Sequence, residues 1–152
     1  MDHVTIRRMR SDDLPRIMEI ETASYGAPWA ESSFRALLRR ADAALFVADS
    51  RGTVAGYAVC WAIADQGELG NIAVAPEWRR RGLARRLLTT VIETMRARGV
   101  RELYLEVRPS NDVARHLYET FGFVEVGWRP DYYTAPVEDA VVMRKLLEPT
   151  DD

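Results

Sequence analysis

Three features of the 152-residue chain have residue types and spacings that suit chemistry. Glu106 lies inside Leu103-Tyr104-Leu105-Glu106-Val107-Arg108, an apolar stretch that reads as a strand, where a carboxylate is costly to bury unless it is paired. It either meets Arg108, two residues on along the same strand face, or lies beside an apolar ligand, where burial raises its proton affinity toward that of a group able to take a proton from an amine. Asn111 and Tyr118, seven positions apart across the start of a helix, project from nearly one face. An amide at Asn111 suits a helix cap, and Tyr118, between Leu117 and Phe121, suits a core aromatic with a satisfied hydroxyl. The third feature is Arg79-x-x-Gly82-x-Ala84 within Ala75-Pro76-Glu77-Trp78-Arg79-Arg80-Arg81-Gly82-Leu83-Ala84. Unpaired N–H groups at a helix start favour an anion, Gly82 has no Cβ to keep a phosphate away, and the arginines screen its charge. A solvated basic run explains the same residues; a nucleic-acid patch would call for interleaved aromatics that are absent.

These residues need a scaffold, and the pattern of apolar positions outlines one. Val4 to Arg10 reads as a first strand, and Ser11-Asp12-Asp13 offers capping oxygens to a helix carrying Leu14, Ile17, Met18 and Glu21. Ala27-Pro28-Trp29 interrupts it, and Glu31 to Arg40 reads as a second helix. Ala43 to Ala48 and Thr53 to Ala62 form a hairpin through Asp49-Ser50-Arg51-Gly52, and Leu69 to Val74 is a further strand that stops at Pro76. Leu83, Leu87, Leu88, Val91, Ile92 and Met95 recur at helical spacing up to a stop at Gly99. A strand over Leu103 to Val107, a helix from Val113 to Phe121 closed by Gly122, and strands near Phe123 to Trp128 and Ala140 to Leu146 complete the order.

Asn71-Ile72-Ala73-Val74-Ala75-Pro76 followed by Arg79-x-x-Gly82-x-Ala84 resembles the acyl-CoA-binding core of the GNAT superfamily of N-acetyltransferases. Leu105-Glu106-Val107-Arg108 through Asn111 to Leu117-Tyr118-Glu119 and Phe121-Gly122-Phe123 is similar to the signature of its RimI-type subgroup, which acetylates protein N-termini. The resemblance implies an α/β fold over residues 1–152: a single GNAT domain with a mixed, mostly antiparallel seven-stranded sheet and about four helices. It implies acetyl-CoA as cosubstrate, with Ile72, Ala73 and Val74 meeting the pantetheine arm through backbone, Arg79, Arg80, Arg81, Gly82, Leu83 and Ala84 holding the pyrophosphate, and Asn111 touching the arm. Glu106 becomes the general base and Tyr118 the general acid toward the leaving sulfur. Glu68 is an alternative base, because other GNAT branches use a carboxylate in that region.

On the acceptor side, Ile20-Glu21 with Pro28-Trp29, Asp131-Tyr132-Tyr133, and Glu138 to Met143 also resemble the RimI type. Exposed aromatics with polar tips at Tyr132 and Tyr133, in a loop rich in Asp, Pro and Thr, suit a peptide groove. Trp29 joins them, and Glu21 is placed to hold a positive peptide end. The acceptor implied is the N-terminus of a small-subunit ribosomal protein. Other readings are acetylation of a small amine or a lysine side chain, since a fold does not determine a substrate, and a non-catalytic acyl-CoA-binding domain, which would need neither Glu106 nor Tyr118.

Bulk properties agree with an ordinary globular chain: 47% hydrophobic, 29% charged, formal charge −2. Arginine supplies every basic residue except Lys145. The charge gives no reason to expect direct nucleic-acid binding, and the apolar runs are too short to span a bilayer. The N-terminus, Met1-Asp2-His3-Val4-Thr5, lacks the apolar stretch of a signal peptide, so a cytoplasmic location is expected. Cys60, the single cysteine, excludes an internal disulfide and a cysteine-built metal site, and no metal is expected. It reads as a small structural residue, as His3 and His116 read as terminal and surface positions. A monomer or weak dimer is expected.

Overall fold

Leu87, Leu88, Val91 and Met95 share one face of a helix, and all four are fully buried. At about 1.5–3 kcal/mol per large apolar side chain, that face is enough to dock the helix on a sheet. The computed structural model describes residues 3–149. The elements run β1 (Val4–Arg8), α1 (Leu14–Ser24), α2 (Glu31–Leu38), β2 (Ala43–Ser50), β3 (Thr53–Ile63), β4 (Gln66–Val74), α3 (Leu83–Ala97), β5 (Glu102–Val107), α4 (Asp112–Thr120), β6 (Val124–Tyr133) and β7 (Glu138–Leu146). They form one seven-stranded sheet in the order β1-β2-β3-β4-β5-β7-β6. Only β4 and β5 run parallel, because α3 carries the chain back across the sheet between them. The expected mixed, mostly antiparallel sheet with four helices is what the chain forms.

Helices cover both faces of the sheet centre. α3 packs on one face with Phe46, Ala58, Leu103 and Leu105. Leu14, Ile17 and Ile20 of α1 and Phe34 and Leu37 of α2 pack on the other, against Leu45, Tyr57 and Val59. β2 is therefore buried over its first six residues, as a strand covered on both faces must be. Arg51 (φ 51°) and Gly52 (φ 93°) make the tight β2–β3 turn, the two positive φ angles that a two-residue hairpin requires.

Element ends differ from the expected ones where side chains intervene. β1 stops at Arg8 because Met9 turns inward, donating its N–H to Leu45 O at 2.9 Å. Ser11–Asp13 form a 3-10 turn, and the Asp13 carboxylate accepts the Arg10 N–H at 2.7 Å, so it closes this turn instead of capping α1. α2 ends at Leu38, before the expected Arg40. β4 begins at Gln66, earlier than expected, which draws Glu68 into the strand. β6 extends to Tyr133, so Tyr132 and Tyr133 end a strand and do not lie in a loop.

Candidate active site

The site lies where the sheet comes apart. β4 and β5 pair only from Gln66–Glu68 to Glu102–Tyr104; beyond that point no pairing joins them. A bulge in β4 starts the departure: Cys60 faces Leu69 and Val59 faces Asn71, leaving Gly70 without a partner. Glycine is required there, because a Cβ would overlap the Trp61 ring. Trp61 in turn stacks on Trp29, 6.5 Å between centroids. Beyond the bulge, Ala75 donates its N–H to Ala55 O of β3 at 2.8 Å. Successive strand residues turn their polar groups to opposite sides, so Val74 and Ile72 direct N–H and C=O toward the side β5 has left. Both carbonyls are occupied by side chains: Tyr25 Oη donates to Ile72 O at 2.5 Å and Arg79 Nε to Val74 O at 3.2 Å.

A cleft of about 680 Å³ opens along this edge, between β4, the start of α3 and α4. At its α3 end, Arg80 (φ 65°) and Gly82 (φ 76°) adopt left-handed backbone, and no side chain caps the helix, so the first-turn N–H groups face outward. A Cβ on Gly82 would meet nothing within 4 Å; the turn, not crowding within the chain, calls for glycine. The three arginines diverge. Arg79 turns in to Val74, Arg81 stacks on the Trp78 ring at 4.6 Å, and the Arg80 side chain has no polar partner among the described residues. Leu83 is buried and lines the cleft, while Ala84 keeps the helix start small. An uncapped helix start, a donor-bearing strand edge and an apolar floor suit a pyrophosphate joined to an extended arm, so these residues fit acyl-CoA.

α4 supplies the opposite wall. Asn111 Oδ1 accepts the Ala114 N–H at 3.1 Å, the capping role, while its side chain lines the cleft. Gly122 (φ 92°) ends the helix, and the Phe123 N–H donates to Tyr118 O at 3.1 Å. In this C-terminal motif the side chains at those two positions touch; the rings of Phe123 and Tyr118 lie 5.8 Å apart. Tyr118 is thus held at 6% exposure in the cleft wall. Its hydroxyl, expected to be satisfied if Tyr118 were merely a core residue, has no hydrogen-bond partner among the described residues. Burial pushes its proton affinity well above that of an ordinary phenol.

Charged groups gather on the acceptor side. Glu106, with its side chain 11% exposed, is held by Arg129 Nη1 at 3.0 Å. The considered pairing with Arg108 does not form: Arg108 lies beyond the end of β5 and donates to Thr134 O and Pro136 O at 2.8 Å each, fastening the β6–β7 loop. Glu138 joins this clasp by accepting from the Ser110 N–H at 2.8 Å. The Glu68 carboxylate has no hydrogen bond or ion pair among the described residues; burial, and then the charge of Glu106, push its proton affinity up while Arg129 pulls it down. Tyr132 lies under the Arg129 guanidinium at 4.9 Å and against Tyr133, 4.9 Å between centroids. Burial, then Tyr132 and Glu106, raise the proton affinity of Tyr133.

Two acceptor-side expectations change. Glu21 is 1% exposed and accepts hydrogen bonds from Asn71 Nδ2 at 2.8 Å, the Trp29 N–H at 2.8 Å and the Tyr57 hydroxyl. It is an interior strut, not a group presented to a peptide. Trp29, packed between Phe34 and Trp61, is partly buried and does not line the cleft. Tyr25 and Arg129 escaped the sequence reading: Tyr25 lies in an aperiodic segment after α1, and Arg129 reaches Glu106 across the intervening β7.

Residues 14–123 match the acetyltransferase (GNAT) family. The chain belongs to that family. It is 39% identical over 142 residues to the curated ribosomal protein bS18-alanine N-acetyltransferase of Escherichia coli K12, spanning 91% of this chain and 95% of that protein. The crystal structure of the Escherichia coli ribosomal-protein-S18-alanine N-acetyltransferase superposes with a TM-score of 0.88 at 36% identity, covering 98% of this chain and 97% of that one. A GNAT family acetyltransferase from Elizabethkingia anophelis, solved with acetyl-CoA bound, shares the fold at a TM-score of 0.80 and 18% identity, covering 97% of this chain and all of that one. As a GNAT enzyme the chain is an acetyltransferase, and the cleft of the splayed strands is its candidate acyl-donor site.

Proposed function

We propose that the chain transfers the acetyl group of acetyl-CoA to the N-terminal α-amine of a protein, with ribosomal protein bS18 as the acceptor. The observation that carries this reading is the 39% identity to the bS18-alanine N-acetyltransferase over 91% of the chain. Local geometry supports it. A Cβ on Gly26 would overlap the carbonyl oxygen of Ala135, so the loop after α1 touches the β6–β7 loop beside Tyr25 and Tyr133. Two loops in contact beside these tyrosines suit a narrow acceptor, such as a chain end with a small first residue. Ribosomal proteins are made in the cytoplasm, where a monomer or weak dimer would meet them; among the described residues no helix is long and apolar enough to cross a membrane.

Bound acetyl-CoA supplies an activated acyl carbon and a thiolate leaving group. Glu106 takes the proton from the acceptor ammonium, directly or through water, and Arg129 holds the carboxylate in place. The N–H groups of Ile72 and Val74 face the position where negative charge develops on the acyl oxygen. As the N–C bond forms and the C–S bond breaks, the Tyr118 hydroxyl gives its proton to sulfur, and the second proton that the nitrogen sheds on becoming an amide restores the phenol. Its raised proton affinity keeps it protonated at neutral pH as an O–H donor to the charge developing on sulfur, and favours its return to the phenol once the proton has passed.

The test follows thiol release with a bS18 N-terminal peptide, the same peptide blocked at its α-amine but carrying a lysine, and a panel of small amines. Turnover is expected with the free N-terminus alone, with kcat lowered about 10²–10⁴-fold in Glu106→Gln and Tyr118→Phe. Turnover confined to the lysine peptide or small amines would move the chain to another acceptor class.

A further inference from the structure

A free strand edge normally offers donors and acceptors alike. On the open edge of β4 the balance shifts, because Tyr25 Oη donates to Ile72 O and Arg79 Nε to Val74 O, each taking one lone pair. The N–H groups on the same edge carry no side-chain partner among the described residues. The edge is left richer in free donors than in free acceptors.

We propose that Tyr25 is a positioning residue for acyl transfer: by capping the Ile72 carbonyl it lowers the negative potential of the β4 edge where charge grows on the acyl oxygen. This rests on acetyl transfer as the reaction. A bare carbonyl oxygen beside the reacting group would repel the developing oxyanion and would compete for the neighbouring donors. The cap weakens both effects without touching the reacting atoms. Tyr25 suits the task because it is tethered at the end of α1 and lines the cleft. Burial, followed by the proximity of Tyr118 and Glu21, raises its proton affinity far above the ordinary phenol value. It therefore remains a hydrogen donor throughout the working pH range. Arg79 performs the same service one pair further along, nearer the helix start, where it also adds positive charge.

A cap that matters only as charge develops acts on kcat, whereas a residue that merely shapes the cleft acts on binding. Tyr25→Phe removes the hydroxyl and nothing else. The expected result is a fall in kcat of about tenfold, the equivalent of roughly 1.4 kcal/mol, with KM for acetyl-CoA changed less than about threefold. A binding readout stands beside it: calorimetry with CoA, which lacks the acyl carbonyl, and with the ketone analogue of acetyl-CoA in which CH2 replaces sulfur. Neither ligand carries the developing charge, so both are expected to keep their affinity within about threefold. Tyr25→p-aminophenylalanine keeps an N–H donor at the same reach and is expected to restore kcat. Loss of CoA and ketone affinity with kcat intact, an unchanged kcat, or an aminophenylalanine variant that folds without recovering activity would each overturn the proposal. If the parent chain shows no turnover with any acceptor, the proposed reaction fails, while weakened binding of both ligands to Tyr25→Phe would show that Tyr25 only shapes the cleft.

Discussion

Replacing Glu21 separates a structural role from a substrate role. Its carboxylate is 1% exposed and receives three donors from three segments: Tyr57 of β3, Asn71 of β4 and the Trp29 backbone. A hydrogen bond to a charged acceptor contributes about 1.5–3 kcal/mol, and a buried donor left without one costs about 1–3 kcal/mol. Glu21→Gln keeps an oxygen for Tyr57 and Asn71 but turns an NH2 toward the Trp29 N–H, so one donor is lost and about 2 kcal/mol with it. For a chain of this size that corresponds to a drop of roughly 4–8 °C in Tm. Glu21→Ala frees all three donors and removes about 4–6 kcal/mol, a large share of the stability of an ordinary domain. Urea denaturation and thermal melts measure both. For Glu21→Gln, KM for the acceptor peptide should stay within about threefold of the parent, since the carboxylate never meets the peptide. An unchanged Tm together with a tenfold rise in peptide KM would refute the argument and return Glu21 to the substrate groove.

The Glu68 carboxylate feels the charge of Glu106. With Glu106 as the base, Glu68→Gln keeps kcat within roughly threefold; a fall of about 10² or more in kcat would assign the proton transfer to Glu68. Burial and the Glu106 charge raise the Glu68 carboxyl when the chain is folded, so ionising it costs stability as pH rises through the raised value. Glu68→Gln should therefore be more stable than the parent at pH 8 and no more stable at pH 4. At the other end of the sheet the sign reverses. The Arg7 guanidinium holds the Asp49 carboxyl below its usual range, and for Asp13 hydrogen bonds from Arg7 and the Arg10 N–H outweigh burial. That stability is present above the ordinary carboxylate value of 3.8 and is lost as pH falls through the lowered ones, so Arg7→Met should flatten the acid side of a stability–pH curve.

Periodic features were legible and aperiodic ones were not. α3 is apparent because one buried face imposes a three-and-four spacing, and the turn before it because a strand, a glycine and a helix follow in that order. The strand–helix segment carrying Glu106, Asn111 and Tyr118 is equally readable as structure, since its elements are set by local positions. The partners of these residues depend on register. Arg129 finds Glu106 across two ladders, β5 to β7 and β7 to β6, and a bulge between Glu125 and Gly127 shifts the alternation on the way. No spacing along the chain encodes that pairing. Glu21 misled for a related reason: an acidic residue on a helix reads as exposed unless the donors that bury it are known, and they come from β3 and β4.

The splay of β4 from β5 joins these threads. A parallel pair closed along its length would leave neither a free edge nor a cleft. The bulge at Gly70 ends the pairing, and the Trp61–Trp29 stack closing over that glycine keeps a longer side chain from restoring regular strand geometry. Glu21 then secures the arrangement by tying the Trp29 backbone to Asn71, on the far side of the bulge. The buried carboxylate and the open edge are thus one device, in which interior hydrogen bonds hold β4 in a shape that leaves its outward N–H groups unpaired. Loosening the interior should reduce acetyl transfer even where no substrate is touched, and the loss should follow the fraction of chains in which β4 remains bulged.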